Sequence, residues 1–294
     1  MTHRFVADPR AVIPFDQLPE SFARALDRPP ERPAPALPAA TVVLMRPAQP
    51  TLEVLLLRRV HTAGFVPGAF VFPGGRVDPA DGAPELAPRI DGLTADQAAR
   101  RLGVPPDADP PALAYYAAAL REAFEETGLL VARDGAGRPV SGMPGDAAFR
   151  ALLGEVRADG ARFAAALDRL GCRLDGAVVE YVAHWITPVV EPRRYDTRFF
   201  AAAVPRGAGA ALSLHEAELS EAVWLTPAEA LELNVRGDLP MVFPTIRTLE
   251  SLLGFRAPDE ALAAFRERRV PAILPRLVRT PRGVGMEVES EGTG

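Results

Sequence analysis

The chain contains no lysine, so all 33 of its basic residues are arginine. It is nevertheless acidic, with a formal net charge of −5 at neutral pH. Proteins whose main partner is a nucleic acid usually carry a basic excess. The charge balance therefore argues against nucleic acid as a partner.

Cysteine and long apolar runs are lacking as well. Cys172 is the single cysteine, which excludes an internal disulfide framework and is typical of a reducing compartment. No stretch of about 18 apolar residues is present, as a membrane span would need, and the first residues lack a signal-peptide pattern. We therefore expect a soluble, cytoplasmic protein with no membrane partner.

Proline separates the first part of the chain from the rest. The segment DRPPERPAPALPAA predicts an extended connector after an N-terminal arm, together residues 1–40. From Thr41, the runs TVVLM and LEVLLLRR predict two neighbouring strands, and AFVFPGG predicts a third strand that ends in a turn at Gly75. We assign residues 41–255 to one domain and residues 256–294 to a C-terminal helical extension, with a loose tail after Arg279.

Residues 79–111 differ from their surroundings. They carry proline and aspartate at both ends and one short helical candidate, TADQAARRLG, which indicates an insertion rather than a core element. Later segments predict a helical stretch over about 147–170, the strands VVEYVAHWITP and DTRFFAAAVP, and a closing strand and helix in AVWLTPAEALEL. This alternation predicts an α/β fold with a mixed sheet and helices on both faces.

The stretch LREAFEETGLL places Glu122, Glu125 and Glu126 on one side of a predicted helix that begins near Asp109 and ends at Gly128. A solvated acidic face is the ordinary explanation of such charges. However, glutamates three and four residues apart repel one another, and acidic residues in a last turn oppose the helix dipole. Mg²⁺ or Mn²⁺, which prefers oxygen ligands, would remove both penalties. On the residues alone, both explanations stay open.

The segment REAFEETGL, residues 121–129, resembles the second half of the Nudix box, whose pattern is G-x5-E-x7-R-E-U-x-E-E-x-G-U with U apolar. The segment FPGGRVDPAD supplies the opening glycine, Gly75. The chain departs from the pattern twice. Asp81 stands at the place of the first glutamate, and 39 residues, 82 to 120, replace the usual seven before Arg121. The box is therefore divided by the insertion.

A second pattern lies upstream, in LLLRRVHTAGFVPGAFVFPGGRVD, residues 55–78. It resembles the CoA-type pattern LLT-x-R-[SA]-x3-R-x3-G-x3-FPGG-x2-D, with departures at Leu57, Val60 and Gly64. The pattern has an arginine at the place of Gly64, where a cation would meet substrate phosphate; His61 and Arg58 are candidates to replace it. The resemblance covers roughly residues 38–255.

This similarity points to the coenzyme A diphosphatases of the peroxisomal kind and implies a Nudix-type α/β/α sandwich. The implied reaction is hydrolysis of the pyrophosphate bond of CoA or acyl-CoA to 3′,5′-ADP and (acyl-)phosphopantetheine, with Mg²⁺ or Mn²⁺ as cofactor. By resemblance, the metal ligands are Glu122, Glu125, Glu126 and the carbonyl of Gly75, with Glu122 alternatively the base and Arg121 orienting the carboxylates. The implied substrate-binding residues are Arg59, Gly68, Phe72, Gly74 and Asp78.

Several alternatives stay open. The activity could instead be on ADP-ribose or NADH-type dinucleotides, or the chain could be a nucleotide-binding module without catalysis. The insertion could cover the pantetheine or acyl chain, form a dimer contact or be a bare loop. The apolar surface of the insertion and of the C-terminal helices suggests a homodimer. Candidates for a further catalytic glutamate are Glu191, Glu216, Glu218 and Glu221. Candidates for stacking on adenine are Phe65, Phe70, Trp185 and Tyr195.

Overall fold

A computed structural model describes residues 26–28, 30–61, 67–140, 146–208 and 212–288. The strands in chain order are β1 (Ala36–Pro47), β2 (Leu52–Arg59), β3 (Phe70–Val71), β4 (Gly74–Arg76), β5 (Ile90–Asp91), β6 (Ala132–Asp134), β7 (Pro139–Val140), β8 (Cys172–Asp175), β9 (Val179–Ile186), β10 (Arg194–Ala203), β11 (Leu219–Leu225), β12 (Ala272–Ile273), β13 (Arg276–Thr280) and β14 (Gly283–Glu287). The α-helices are α1 (Ala95–Leu102), α2 (Ala112–Thr127), α3 (Ala147–Ala158), α4 (Phe163–Leu170), α5 (Pro227–Arg236), α6 (Phe243–Ser251) and α7 (Pro258–Arg266).

The principal sheet is mixed and has the order β11-β2-β1-β10-β9-β12, with β3 on β2 and β4 on β1. Strand β1 runs parallel to β10, and β9 runs parallel to β12, whereas the other pairs are antiparallel. Successive residues of β1 point to opposite faces, so Val42 and Leu44 enter one core while Val43 and Met45 enter another. Helices α1 to α4 cover the first face and α5 to α7 the second. The predicted three-layer α/β/α arrangement is therefore confirmed.

The first strand starts earlier than the sequence predicts. The proline-rich segment was predicted to stay a connector up to residue 40, but Ala36 already pairs with Arg194 of β10. Proline is tolerated here because Pro38 needs no amide hydrogen; its carbonyl accepts the backbone N–H of Val77. A partner about 160 residues away, which local composition does not reveal, extends the strand.

The insertion contributes to the core instead of forming a bare loop. Its helix α1 is confirmed, with a capping box between Thr94 and Gln97. Ala98, Ala99 and Leu102 of that helix are buried in the same core as α2, as are Leu86 and Ile90 before it. The expectation that this segment lies outside the core was therefore wrong. Its apolar surface, one reason to expect a homodimer, is largely used inside the chain.

The end of the chain also differs from expectation. The helices predicted in PTIRTLESLLGF and PDEALAAFRERR are present as α6 and α7. The tail after Arg279, predicted to be loose, instead forms the antiparallel hairpin β13–β14, and Val284 is buried. The stretch predicted helical over about 147–170 is divided, because Asp159 caps a separate turn before α4.

The single cysteine, Cys172, is free and buried, and burial raises the pKa of its thiol to about 11. No helix in the described part of the chain is both long and apolar enough to cross a membrane.

Candidate active site

A glycine pair closes the turn between β3 and β4. A Cβ atom at Gly74 would lie 2.5 Å from the carbonyl oxygen of Ala40, and one at Gly75 would lie 2.4 Å from Oε1 of Glu122. Any larger residue would therefore displace either β1 or the glutamate. Glycine is required here because of close approach, and the turn brings its backbone against the acidic side of α2.

The three glutamates of α2 are not a solvated face. Glu126 is 4% exposed, and its Oε2 accepts the backbone N–H of Gly74 at 3.1 Å. The side chains of Glu122 and Glu125 are 16% and 17% exposed, and each accepts a hydrogen bond from Nη1 of Arg121, at 2.9 and 3.0 Å. The apolar and acidic sides of the helix are therefore both packed against protein.

The two halves of the divided box meet at Arg121. Its Nε and Nη2 donate to Oδ1 and Oδ2 of Asp81 at 2.8 and 2.9 Å, and Nη2 also donates to the carbonyl of Arg76 at 3.0 Å. With Glu122 and Glu125 on Nη1, all five N–H donors of this guanidinium have partners. Only the fork of an arginine can hold three carboxylates in this way.

A short turn explains why aspartate suffices at position 81. Residues Pro79–Gly82 form a 3-10 turn in which Asp78 and Asp81 cap each other's backbone. The N–H of Asp78 donates to Oδ2 of Asp81 at 2.8 Å. The turn brings the backbone close to Arg121, so the shorter side chain reaches the guanidinium. The ring of Pro111, which ends the insertion, lies 3.0 Å from the Cβ position of Gly82, so the insertion returns to where it began.

The start of α2 was predicted wrongly. Asp109 is not its N-cap: the helix begins at Ala112, and Pro111 is the N-cap without a side-chain hydrogen bond. Its end at Gly128 is confirmed, with φ of 74° in the left-handed region.

Burial makes the charged forms of these carboxylates unfavourable. It raises the pKa of Glu122 to about 7, and the neighbouring Arg121 offsets this effect only in part. Burial likewise raises the pKa of Glu126 well above its ordinary value, and the charge of Glu122 raises it further. The pKa values of Glu125 and Asp81 are also raised, first by burial. The centre is therefore short of positive charge.

A later loop lies against the end of α2. Ser213 and His215 donate their backbone N–H groups to the carbonyls of Thr127 and Glu126, at 2.9 and 3.0 Å. Arg157 of α3 donates Nε to the carbonyl of Glu125 at 2.7 Å and Nη2 to the carbonyl of Ser213. The sequence analysis missed His215 and Arg157, because backbone contacts between distant segments leave no local pattern.

The four later glutamates lie in different surroundings. The charge of Glu218 raises the pKa of Glu126, in addition to the larger effects of burial and of Glu122. Glu221 instead pairs with Arg58 at 3.5 Å, and Glu216 acts on Arg157. Glu191 follows β9, and burial alone raises its pKa. Glu218, in the loop that contacts the end of α2, thus acts on the pKa of the buried Glu126.

The predicted substrate-binding residues lie in three different surroundings. Gly74 contacts Glu126, and the positive charge of Arg59, at the end of β2, lowers the pKa of the same carboxylate. The Nε atom of Arg59 is buried without a hydrogen-bond partner among the described residues. Phe72, in contrast, is 3% exposed in the second core, and Asp78 is used in capping its turn. Gly68 has φ of 73° and lies against the ring of His61.

The other candidates for substrate contact are engaged elsewhere or not described. Arg58 lies over the ring of Phe70 and pairs with Glu221 at 3.5 Å. Phe70 and Trp185 are buried in the second core. Gly64 and Phe65 lie outside the described residues.

The donor atoms around Glu122 and Glu126 determine which kind of ion this place could hold. Within the ranges that the structure describes, no group of three or more His, Cys, Asp or Glu side chains is spaced to hold a metal as it stands. The carboxylates of Glu122 and Glu126 nevertheless lie against Gly75 and Gly74, and burial raises the pKa values of both carboxylates. Hard oxygen donors with excess negative charge fit a divalent cation.

Comparison with known proteins agrees with this geometry. The family model of the NUDT19 Nudix domain matches residues 32–252. The acyl-coenzyme A diphosphatase NUDT19 of Gallus gallus is 33% identical over 243 residues, which are 71% of this chain and 63% of that protein. The protein of the same name from Homo sapiens is 30% identical over 258 residues, 77% of this chain and 64% of that protein. The chain thus spans less than two thirds of the length of these relatives.

A solved structure gives the same result. The crystal structure of a NUDIX hydrolase from Alicyclobacillus acidocaldarius has a TM-score of 0.62 and 32% sequence identity, covering 78% of this chain and 96% of that one. Because the family model spans most of the chain, including both halves of the divided box, the chain belongs to the Nudix hydrolase family, in the group described by the NUDT19 Nudix domain.

Proposed function

We propose that the chain hydrolyses the pyrophosphate bond of CoA or acyl-CoA, giving 3′,5′-ADP and (acyl-)phosphopantetheine. The observation that carries this proposal is the contact of Arg121 with Asp81, Glu122 and Glu125, which joins both halves of the divided box. The substrate class is supported by the relatives named acyl-coenzyme A diphosphatase. Cysteine usage supports the cytoplasm as the compartment.

The proposed cofactor is Mg²⁺ or Mn²⁺, held by Glu122, Glu125, Glu126 and the carbonyl of Gly75. When bound, such an ion neutralises charge on the pyrophosphate oxygens and lowers the pKa of the attacking water. This assignment is supported by three partly or fully buried carboxylates whose charged forms burial disfavours. To bind the cation, Glu125 would either leave Arg121 or contact both the cation and Arg121.

The chain's own groups have distinct proposed roles. Arg121 holds Asp81, Glu122 and Glu125 in fixed orientation without touching substrate. Arg59, with a buried donor that no described residue uses, is proposed to bind substrate phosphate next to Glu126. Glu122 and Glu218 are the two candidates to take a proton from the attacking water, and Glu218 is supported by its electrostatic effect on Glu126.

The test is release of 3′,5′-ADP from CoA and several acyl-CoA esters, with Mg²⁺ or Mn²⁺, beside ADP-ribose and NADH. The Glu125→Gln variant is expected to lose most activity, while Glu221→Gln, which alters the glutamate paired with Arg58, serves as the matched control. Metal-dependent cleavage of CoA thioesters that is lost only in the first variant supports the proposal. Activity confined to ADP-ribose or NADH overturns the proposed substrate class. No turnover on any substrate overturns the proposed hydrolysis and favours a nucleotide-binding module without catalysis.

A further inference from the structure

A cleft lies between the insertion helix α1, the C-terminal helix α7 and the start of β9. It has a volume of about 540 Å³ and is lined by Gln97, Arg100, Arg101, Glu180 and Arg266, together with the backbone of residues 176–177 and of Gly92. None of these residues belongs to the glutamate centre on α2. The cleft exists because the insertion packs beside the C-terminal helix.

The cleft is separate from the candidate active site. Gly75 lies on β4, whereas Glu180 lies on β9, and β1 and β10 run between them. Neighbouring strands are roughly 4.8 Å apart, so three spacings put these backbones about 14 Å from each other. A ligand in the cleft would therefore not occupy the position proposed for the metal.

The charge balance in the cleft is positive. Glu180 is 1% exposed and is held from two sides: Arg266 donates Nε and Nη2 to Oε1, each at 2.7 Å, and Nη2 of Arg101 contacts Oε2. Arg100 is exposed and forms no ion pair with any residue that the structure describes. The cleft is thus lined by three guanidinium groups against one carboxylate, and of the three arginines only Arg100 has no anionic partner among the described residues.

We propose that this cleft binds a small phosphate-bearing anion. Guanidinium forks match the oxygens of phosphate, and each such charge-assisted contact is strong. The volume is in the range of sites for nucleotide-sized ligands, and concavity favours a small molecule over a macromolecule. The ligand could be inorganic phosphate or an organic phosphomonoester, two sources that share this chemistry. The proposal does not depend on the proposed hydrolysis.

The test is isothermal titration calorimetry of the whole chain, freed of divalent metal by a chelating resin, with inorganic phosphate and with adenosine 3′,5′-bisphosphate. Arg100→Gln is the informative variant, because this side chain is exposed and its loss breaks no described ion pair. Arg150→Gln is the matched control, an exposed arginine on α3 that lies outside the cleft. Arg100→Lys keeps the charge but not the fork.

Binding should be about tenfold weaker or worse in Arg100→Gln, intermediate in Arg100→Lys and unchanged in Arg150→Gln. Phosphate should also raise the melting temperature of the unaltered chain more than that of Arg100→Gln, because it binds only the folded state. Tighter binding of the bisphosphate identifies an organic ligand, and binding of phosphate alone identifies the inorganic one. The proposal is overturned if neither anion binds at millimolar concentration, or if Arg100→Gln and Arg150→Gln behave alike.

Discussion

Two places in this molecule bury glutamate beside arginine, with opposite balance. At the box, Asp81, Glu122 and Glu125 contact Arg121, and Arg59 is the cation that acts on the buried Glu126. At the cleft, Arg101 and Arg266 hold Glu180, and Arg100 adds a third positive charge to the lining. Since a buried charge needs compensation, the first arrangement favours a cation and the second an anion. The same two residue types therefore prepare different ligand chemistry according to which is in excess.

The largest expected effect comes from Arg121→Lys. Lysine keeps the charge but cannot supply five donors in one plane, so Asp81 loses its paired hydrogen bonds inside the protein. We expect unfolding to become easier by about 3 kcal/mol, with cleavage reduced at least 100-fold. Urea unfolding and the 3′,5′-ADP assay measure the two effects. Arg150→Lys is the control. If the two variants behave alike, the claim that Arg121 orients the carboxylates of the box is wrong.

Gly75→Ala tests the close approach of the turn to the helix. The added methyl group would overlap Glu122, which must move. We expect a loss of cleavage of about 10- to 100-fold with a smaller change in stability, because the glutamate side chain can rotate away. Steady-state kinetics would register the loss, and Gly135→Ala is the control, at a glycine whose Cβ position is open and whose φ is not positive. Full activity in Gly75→Ala would contradict the proposed site geometry.

The pH dependence of stability tests the buried carboxylates of the box. The pKa of Glu122 rises from 4.5 to about 7 on folding, so the folded state retains a proton that the unfolded chain releases. Stability without metal should therefore fall as pH rises from about 4.5 to 7, by up to about 3 kcal/mol from this group. Glu122→Gln should flatten the slope, and Mg²⁺ should reduce it in the unaltered chain. Urea midpoints at pH 5, 6 and 7 provide the measurement, and an unchanged slope in the variant would refute the assignment.

The smallest effects are expected at the cleft. Arg101→Gln leaves the buried Glu180 with Arg266 as its remaining ion-pair partner among the described residues, and should destabilise the fold by about 1–2 kcal/mol. Arg100→Gln should change stability by less than about 0.5 kcal/mol. Neither variant should affect metal-dependent cleavage at saturating substrate. Thermal unfolding of both variants tests this order, and a larger loss in Arg100→Gln would reverse our reading of the ion pairs.

Local patterns predicted much of the fold. Short apolar runs of β-forming residues predicted the neighbouring strands β1 and β2, and a 3.6-residue period with Gly128 at its end predicted α2. The FPGG turn could be predicted as well, because glycine marks a close approach of the backbone. For the strand pair and the helix, the determining contacts lie within a few residues.

What depended on distant partners could not be predicted. The first five residues of β1 are a strand only because β10 lies beside them, and the insertion belongs to the core only because α2 accepts its apolar side. The match of Asp81 with Arg121 depends on a 3-10 turn whose register the motif does not encode. The selection of Glu218 likewise required the loop to be seen against the end of α2.

The most direct test of the central claim is binding of Mn²⁺ to the chain without substrate, followed by electron paramagnetic resonance of the free ion. We predict saturable binding that Glu126→Gln weakens at least tenfold and that Glu221→Gln leaves unchanged. Absence of saturable binding, or equal binding by both variants, would contradict the claim that the acidic excess of the divided box is compensated by a divalent cation.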